Sequence, residues 1–80
     1  MQQNFTAPVR VLYIEKWSFL RSINDAIDFI QSLPDDVRLR GDWPLVEDAL
    51  FRAQETSASS DLAVAENALK KALDRTGWLR

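Results

Sequence analysis

The stretch VRVLYIEKWSFLRS, residues 9–22, contains two short runs rich in β-branched and aromatic residues, separated by the charged pair Glu15-Lys16. Such runs favour extended backbone, and two of them in succession are typical of an antiparallel β-hairpin. We therefore predict strands over Val9–Ile14 and Trp17–Arg21. Tight two-residue turns prefer residues such as Asn-Gly that readily adopt positive φ. Because Glu15-Lys16 lacks them, the sequence favours a longer loop or a bulge.

The predicted hairpin has apolar residues on both of its faces. Side chains alternate between the faces along a strand, and any loop that places odd residues opposite odd residues keeps the two sets separate. The larger set, which we assign to the intramolecular core, comprises Val9, Val11, Tyr13, Trp17 and Phe19. The smaller set, which we expect to face outward and to contact a partner unless Trp78-Leu79 covers it, comprises Leu12, Ile14 and Leu20.

The next residues predict a first helix. Ser22 is followed three residues later by Asp25, as in a capping box, and the carboxylate suits the positive end of the helix. Apolar residues at helical spacing continue as far as Leu33. Pro34 disfavours helical geometry in the residue before it, so we expect the helix to end there.

Two more helices follow a polar connection over residues 34–42. The second helix begins near Pro44, and its predicted core stripe is Val46, Ala49, Leu50 and Ala53, joined by Leu45. The third runs from Asp61 to about Thr76, with Gly77 as its C-terminal cap. Its stripe is Leu62, Ala65, Ala68, Leu69, Ala72 and Leu73, and Glu66 and Lys70 form a favourable pair four residues apart.

Length and composition indicate one small domain covering residues 1–80. The 80 residues are 46% hydrophobic and 28% charged, as in ordinary globular proteins. There is no cysteine, the N-terminal residues lack the pattern of a signal peptide, and no apolar run is long enough to span a membrane. We therefore expect a cytoplasmic protein that does not act at a membrane.

The residue types argue against an enzyme, a metal site and a cofactor. The chain has neither His nor Cys, so the usual general base and thiolate nucleophile are missing. Its two glycines are too far apart for a phosphate-binding loop. Carboxylates do cluster, at Asp35, Asp36, Asp42, Glu47 and Asp48. Because Arg38 and Arg40 lie among them as counter-charges, we assign this group to a solvated loop and a helix start rather than to a metal site.

Several short motifs, taken in order, resemble a known family. They are Ala7-Pro8-Val9-Arg10-Val11, Ser22-Ile23-Asn24-Asp25-Ala26, Leu33-Pro34, Arg40-Gly41, and alanines at helical spacing from Ala65 to Gly77-Trp78. From Phe5 to Trp78 the chain is similar to the small bacterial proteins grouped as domain of unknown function 982. It departs from them at Leu33, where the family usually has Trp, at Glu66, where it often has Arg, and in lacking a cysteine in the second helix. The resemblance implies a fold and a cytoplasmic context, but no activity.

A binding role is what remains. Net charge is −2, and the basic residues are not concentrated in either half of the chain, which makes nucleic acid an unfavoured partner. The alternative nevertheless stays open, since Arg10, Trp17, Phe19 and Arg21 combine cations and aromatic rings near one hairpin. Phe51 lies off the core stripe of its helix and is a further candidate contact. We expect a two-layer α+β domain, with a hairpin, three helices and a possible C-terminal strand, that associates with itself or with another protein.

Overall fold

The computed structural model describes the backbone of residues 4–80 and all of their side chains except those of Thr6 and Ala7. A two-stranded hairpin precedes four helices. The elements are β1 (Asn4–Tyr13), β2 (Lys16–Ser22), α1 (Ile23–Gln31), α2 (Asp35–Arg38), α3 (Trp43–Thr56) and α4 (Ser59–Thr76). The predicted α+β fold is confirmed, with the single turn α2 as an addition inside the expected connection. The expectation about the N-terminal residues falls partly on residues 1–3, which lie outside the described part of the chain.

The hairpin closes through a two-residue loop, Ile14-Glu15, instead of the longer loop expected from the sequence. Tyr13 lies opposite Lys16, and the two loop residues have φ angles of 49° and 61°. A type I′ hairpin turn requires positive φ at both of its central residues. Positive φ is unfavourable for a β-branched side chain such as Ile14, so the loop stores backbone strain.

The short loop shifts the strand register by one residue and corrects the predicted faces. Odd residues of β1 lie opposite even residues of β2, for example Val11 opposite Ser18 and Leu12 opposite Trp17. Leu20, predicted to face outward, therefore lies on the helix side and is 3% exposed. A one-residue change of register moves every side chain of a strand to the other face.

The same shift moves two predicted core residues to the surface. Trp17 and Phe19 are 53% and 52% exposed, on the face of the hairpin that the helices do not cover. Val9 and Val11 are buried on the helix side, as predicted, and Tyr13 packs there at the edge of the core. A further shift in register occurs between Asn4 and Val9, close to Pro8, which has no N–H to contribute to the ladder.

The C-terminal residues return to β1 on the side away from β2. Gly77 ends α4 with a φ of 79°, and the next residues run antiparallel to β1. The N–H of Leu12 donates to the carbonyl of Trp78 at 2.8 Å, and the N–H of Arg80 donates to that of Arg10 at 3.0 Å. β1 thus has β2 on one side and the C-terminal residues on the other. The edge of β2 that faces away from β1 is the long outer edge of the sheet.

The helices fill the space beneath the inner face of the hairpin. Ser22 caps α1 through its Oγ, which accepts from the N–H of Asp25 at 3.3 Å, as the sequence predicted. In α4 the predicted stripe is confirmed, with Leu69 and Leu73 fully buried. In α3 one prediction is wrong, since Leu45 is exposed and Trp43 takes a core position. No helix in residues 4–80 combines the length and the apolar character that crossing a membrane would require.

Four aromatic rings join the C-terminal residues to the rest of the core. Trp78 stacks on Trp43 with ring centroids 5.7 Å apart, and its ring meets that of Tyr13 edge-on at 4.4 Å. Phe29 of α1 completes the cluster. Trp78 therefore packs beside the helices and leaves the outer face of the hairpin uncovered.

Candidate functional site on the hairpin

The outer face of the hairpin combines apolar and basic side chains. Leu12 lies directly opposite Trp17, and Arg10 lies directly opposite Phe19. Directly opposed residues have their Cβ atoms about 4.5–5.5 Å apart, close enough for the side chains to form one surface. We define the outer face as Arg10, Leu12, Trp17 and Phe19. Two half-exposed aromatic rings side by side on a small domain form a surface of the kind that binds partners.

The open edge of β2 adjoins this face and presents unpaired backbone groups. In a hairpin with a two-residue loop, the residues that flank the loop form a hydrogen-bonded pair, and such pairs alternate along the ladder. By this alternation Ser18 and Leu20 bond to β1, while the N–H and C=O groups of Trp17 and Phe19 point away from it. The next outward N–H, that of Arg21, already donates to Oδ2 of Asp25 at 3.1 Å. The open edge is therefore the segment from Trp17 to Phe19.

A shallow groove of about 350 Å³ runs between the open edge and α1. Leu20 and Phe29 contribute apolar walls, Ser18 and Ser32 contribute hydroxyls, and Asp25 and Asp28 contribute carboxylates. Among the described side chains, no cation pairs with Asp25 or Asp28. A strand added to the open edge would place alternate side chains into this acidic groove.

Charge is segregated between the two layers of the fold. Residues 4–22 and 78–80, which form the sheet side, carry four basic side chains and one acidic one. Residues 23–77, which form the helical side, carry six basic and eleven acidic side chains. The sheet side thus has a side-chain charge of +3 and the helical side −5, which together give the net −2. Dividing the sequence into halves conceals this asymmetry, because the first half combines the basic hairpin with the acidic residues of α1 and α2.

The predicted contact residues do not form one surface. Leu12 is half-buried within the outer face, and Ile14 is 78% exposed at the hairpin tip, so both are accessible to a partner. Leu20 is buried and cannot be a contact residue. Phe51 is exposed on α3, which packs against α1 and α4, so it belongs to the helical layer. The main sequence prediction placed Trp17 and Phe19 in the core, and only the nucleic-acid alternative treated them as a surface. A loop with an even number of residues would have placed both on the outer face.

A second concave region lies between the start of α3 and the end of α4. This cleft of about 360 Å³ is lined by Trp43 and Trp78 together with charged side chains of both signs, including Arg40 and Asp36. Arg75 and Asp42, also in its wall, form an ion pair at 2.7 Å. Its four charged side chains balance, so the cleft has no net charge with which to select an ionic ligand.

Two of the acidic residues of the loop region form ion pairs. Arg38, expected as a counter-charge among them, binds Asp35 at 3.1 Å, and Arg75 neutralises Asp42. Within the described residues, no group of three or more His, Cys, Asp or Glu side chains is arranged to hold a metal ion. The Glu66–Lys70 pair predicted for α4 is present at 3.2 Å.

Comparisons of the chain with protein families, with curated proteins and with solved structures give no match.

Proposed function

We propose that the chain is a non-enzymatic interaction module, and that its binding surface is the outer face of the hairpin together with the open edge of β2. The observation that carries this proposal is the exposure of Trp17 and Phe19 beside unpaired backbone groups. Such an edge is a template for a further strand, and natural proteins commonly cover or blunt it. Here it is flanked by aromatic side chains, which are enriched at protein–protein interfaces.

Addition of a partner strand would use both the exposed aromatic side chains and the unpaired backbone groups, which lie in the same place. In this mode of recognition the backbone hydrogen bonds supply affinity, and pockets for alternate side chains supply specificity. Trp17 and Phe19 would contact the partner's side chains on the outer face, while the acidic groove would receive those on the inner face. Membership of the domain of unknown function 982 remains part of this proposal and rests on the sequence motifs alone.

A photo-crosslinking residue at position 19 tests the proposal. We expect the purified protein carrying benzoylphenylalanine in place of Phe19 to form covalent adducts with a protein, either itself or a component of the native cell extract. The matched control carries the same residue in place of Val64, which is 60% exposed on α4. Adducts formed equally at both positions, or at neither, would contradict the assignment of this surface.

Nucleic acid is a second candidate, favoured by the exposed Arg10–Phe19 pair and by the positive charge of the sheet side. Aromatic rings on a basic sheet face stack unpaired bases, and such binding weakens steeply as salt concentration rises. Titrating a labelled single-stranded oligonucleotide at low and moderate salt, while following tryptophan fluorescence, tests this alternative. Saturable, salt-sensitive binding that is lost on replacing Trp17 by Ser would favour it. No binding at low salt would exclude it.

A further inference from the structure

We infer that the partner at the open edge of β2 is a second copy of this chain, paired antiparallel about a twofold axis at Ser18. This inference rests on the proposed function and specifies its partner. A twofold interface places the same surface of both copies in contact, so that surface must be self-complementary. The register centred on Ser18 satisfies this condition in its hydrogen bonds, its apolar side chains and its charges.

The backbone groups match in this register. Trp17 of one copy lies opposite Phe19 of the other, and these are the two residues whose N–H and C=O groups point outward. Opposed residues of this type exchange two hydrogen bonds in an antiparallel ladder. The twofold axis generates a second such pair, so every outward N–H and C=O group of Trp17 and Phe19 is hydrogen-bonded to the other copy. Because the N–H of Arg21 already donates to Asp25, the pairing between the two copies is limited to this segment.

The side chains on the outer face also match. In this register Trp17 of each copy lies beside Phe19 of the other copy. Aromatic pairs across a strand interface stabilise it beyond the effect of the area that they bury. The two hairpins then form one four-stranded sheet, in which each aromatic pair continues onto Leu12 or Arg10 of β1.

Charge complementarity identifies the second copy as the occupant of the acidic groove. Lys16 lies on the inner face of β2, because it is opposite Tyr13. About an axis at Ser18, Lys16 of one copy lies opposite Leu20 of the other, and Leu20 lines the groove that contains Asp25 and Asp28. Each copy thus supplies the cation that the other copy's groove lacks.

Reciprocal charge reversal tests the register. Sedimentation equilibrium should show wild-type protein as a reversible dimer at high concentration. Lys16→Glu and Asp28→Lys each place like charges at both symmetric contacts, so each should weaken dimerisation roughly 10–100-fold. An equimolar mixture of the two variants should recover it, since the heterodimer has one native and one reversed pair. Lys71→Glu, the same change at an exposed site on α4, should dimerise like wild type.

A backbone variant tests the pairing independently of charge. Phe19→Pro removes an outward N–H and leaves the bonds to β1 in place, a substitution that edge strands tolerate. With circular dichroism confirming a folded chain, it should remain monomeric. A wild type that is monomeric at its highest soluble concentration would overturn the inference. So would single variants that dimerise as tightly as wild type, or a mixture that fails to recover. If position 19 then cross-links to a different protein, the proposed function stands without self-association.

Discussion

The two faces of the hairpin have similar apolar content and different surroundings. On the inner face Val9, Val11 and Leu20 are almost completely removed from water. On the outer face Trp17 and Phe19 retain about half of their exposure, although they are larger. Helices cover one side of the sheet, and among residues 4–80 no helix or strand covers the other side. Residues that stabilise the fold are thus separated, along the same strands, from residues available to a partner.

Among single substitutions, we expect the greatest loss of stability in the helical layer that covers the inner face. Leu69 is fully buried in the middle of the α4 stripe. We expect Leu69→Ala to lower the free energy of unfolding by about 2–5 kcal/mol, enough to unfold a marginally stable domain. Urea denaturation measures the loss. Val64→Ala on the exposed side of the same helix is the control and should cost less than about 0.5 kcal/mol.

Adjacent residues of β2 provide the sharpest comparison of the two faces. Leu20→Ala removes an inner-face side chain and should cost about 2–4 kcal/mol. Phe19→Ala removes a larger side chain from the outer face and should cost less than about 1 kcal/mol in dilute solution. Equal losses of unfolding free energy for the two variants in urea denaturation would show that Leu20 and Phe19 do not lie on a buried and an exposed face of the hairpin.

A loss of intermediate size is expected at the C-terminal segment. Trp78 is half-buried, and its ring stacks on Trp43 and meets Tyr13. Trp78→Ala should therefore cost about 1–3 kcal/mol, less than a fully buried Trp would. It should also expose the outer edge of β1, which hydrogen exchange at the Leu12 amide would detect. Exchange at Leu12 as slow as in the wild type would mean that the C-terminal residues do not cover that edge.

The sequence predicted those parts of the molecule in which local signals agree. Ser22 with Asp25 located the start of α1, and the alanine–leucine stripe with Gly77 located α4. It failed at the hairpin faces, because the register depends on loop length and Ile14-Glu15 carries none of the usual turn residues. The acidic groove could not be predicted, since Asp25 and Asp28 approach β2 only through the packing of α1. The return of the C-terminal residues to the sheet likewise adds Arg80 to a hairpin that is already basic.

The smallest expected change is a gain, and it tests the loop that determines the register. Ile14 and Glu15 both have positive φ, a conformation that Asn and Gly adopt more easily. Replacing the pair by Asn-Gly should raise the free energy of unfolding by about 1 kcal/mol. Thermal and urea denaturation of the double variant measure it. A decrease in stability would mean that the loop has another conformation, and the assignment of the two faces would fail with it.

Amide hydrogen exchange along β2, followed by NMR at several protein concentrations, measures whether the edge of β2 is open in the single chain and closed by a second copy. We expect the Ser18 and Leu20 amides, which bond to β1, to exchange slowly at every concentration. The Trp17 and Phe19 amides should exchange quickly in dilute solution and progressively more slowly as concentration rises. Trp17 and Phe19 amides that are already protected in dilute solution, or that stay unprotected at high concentration, would contradict this description of the edge.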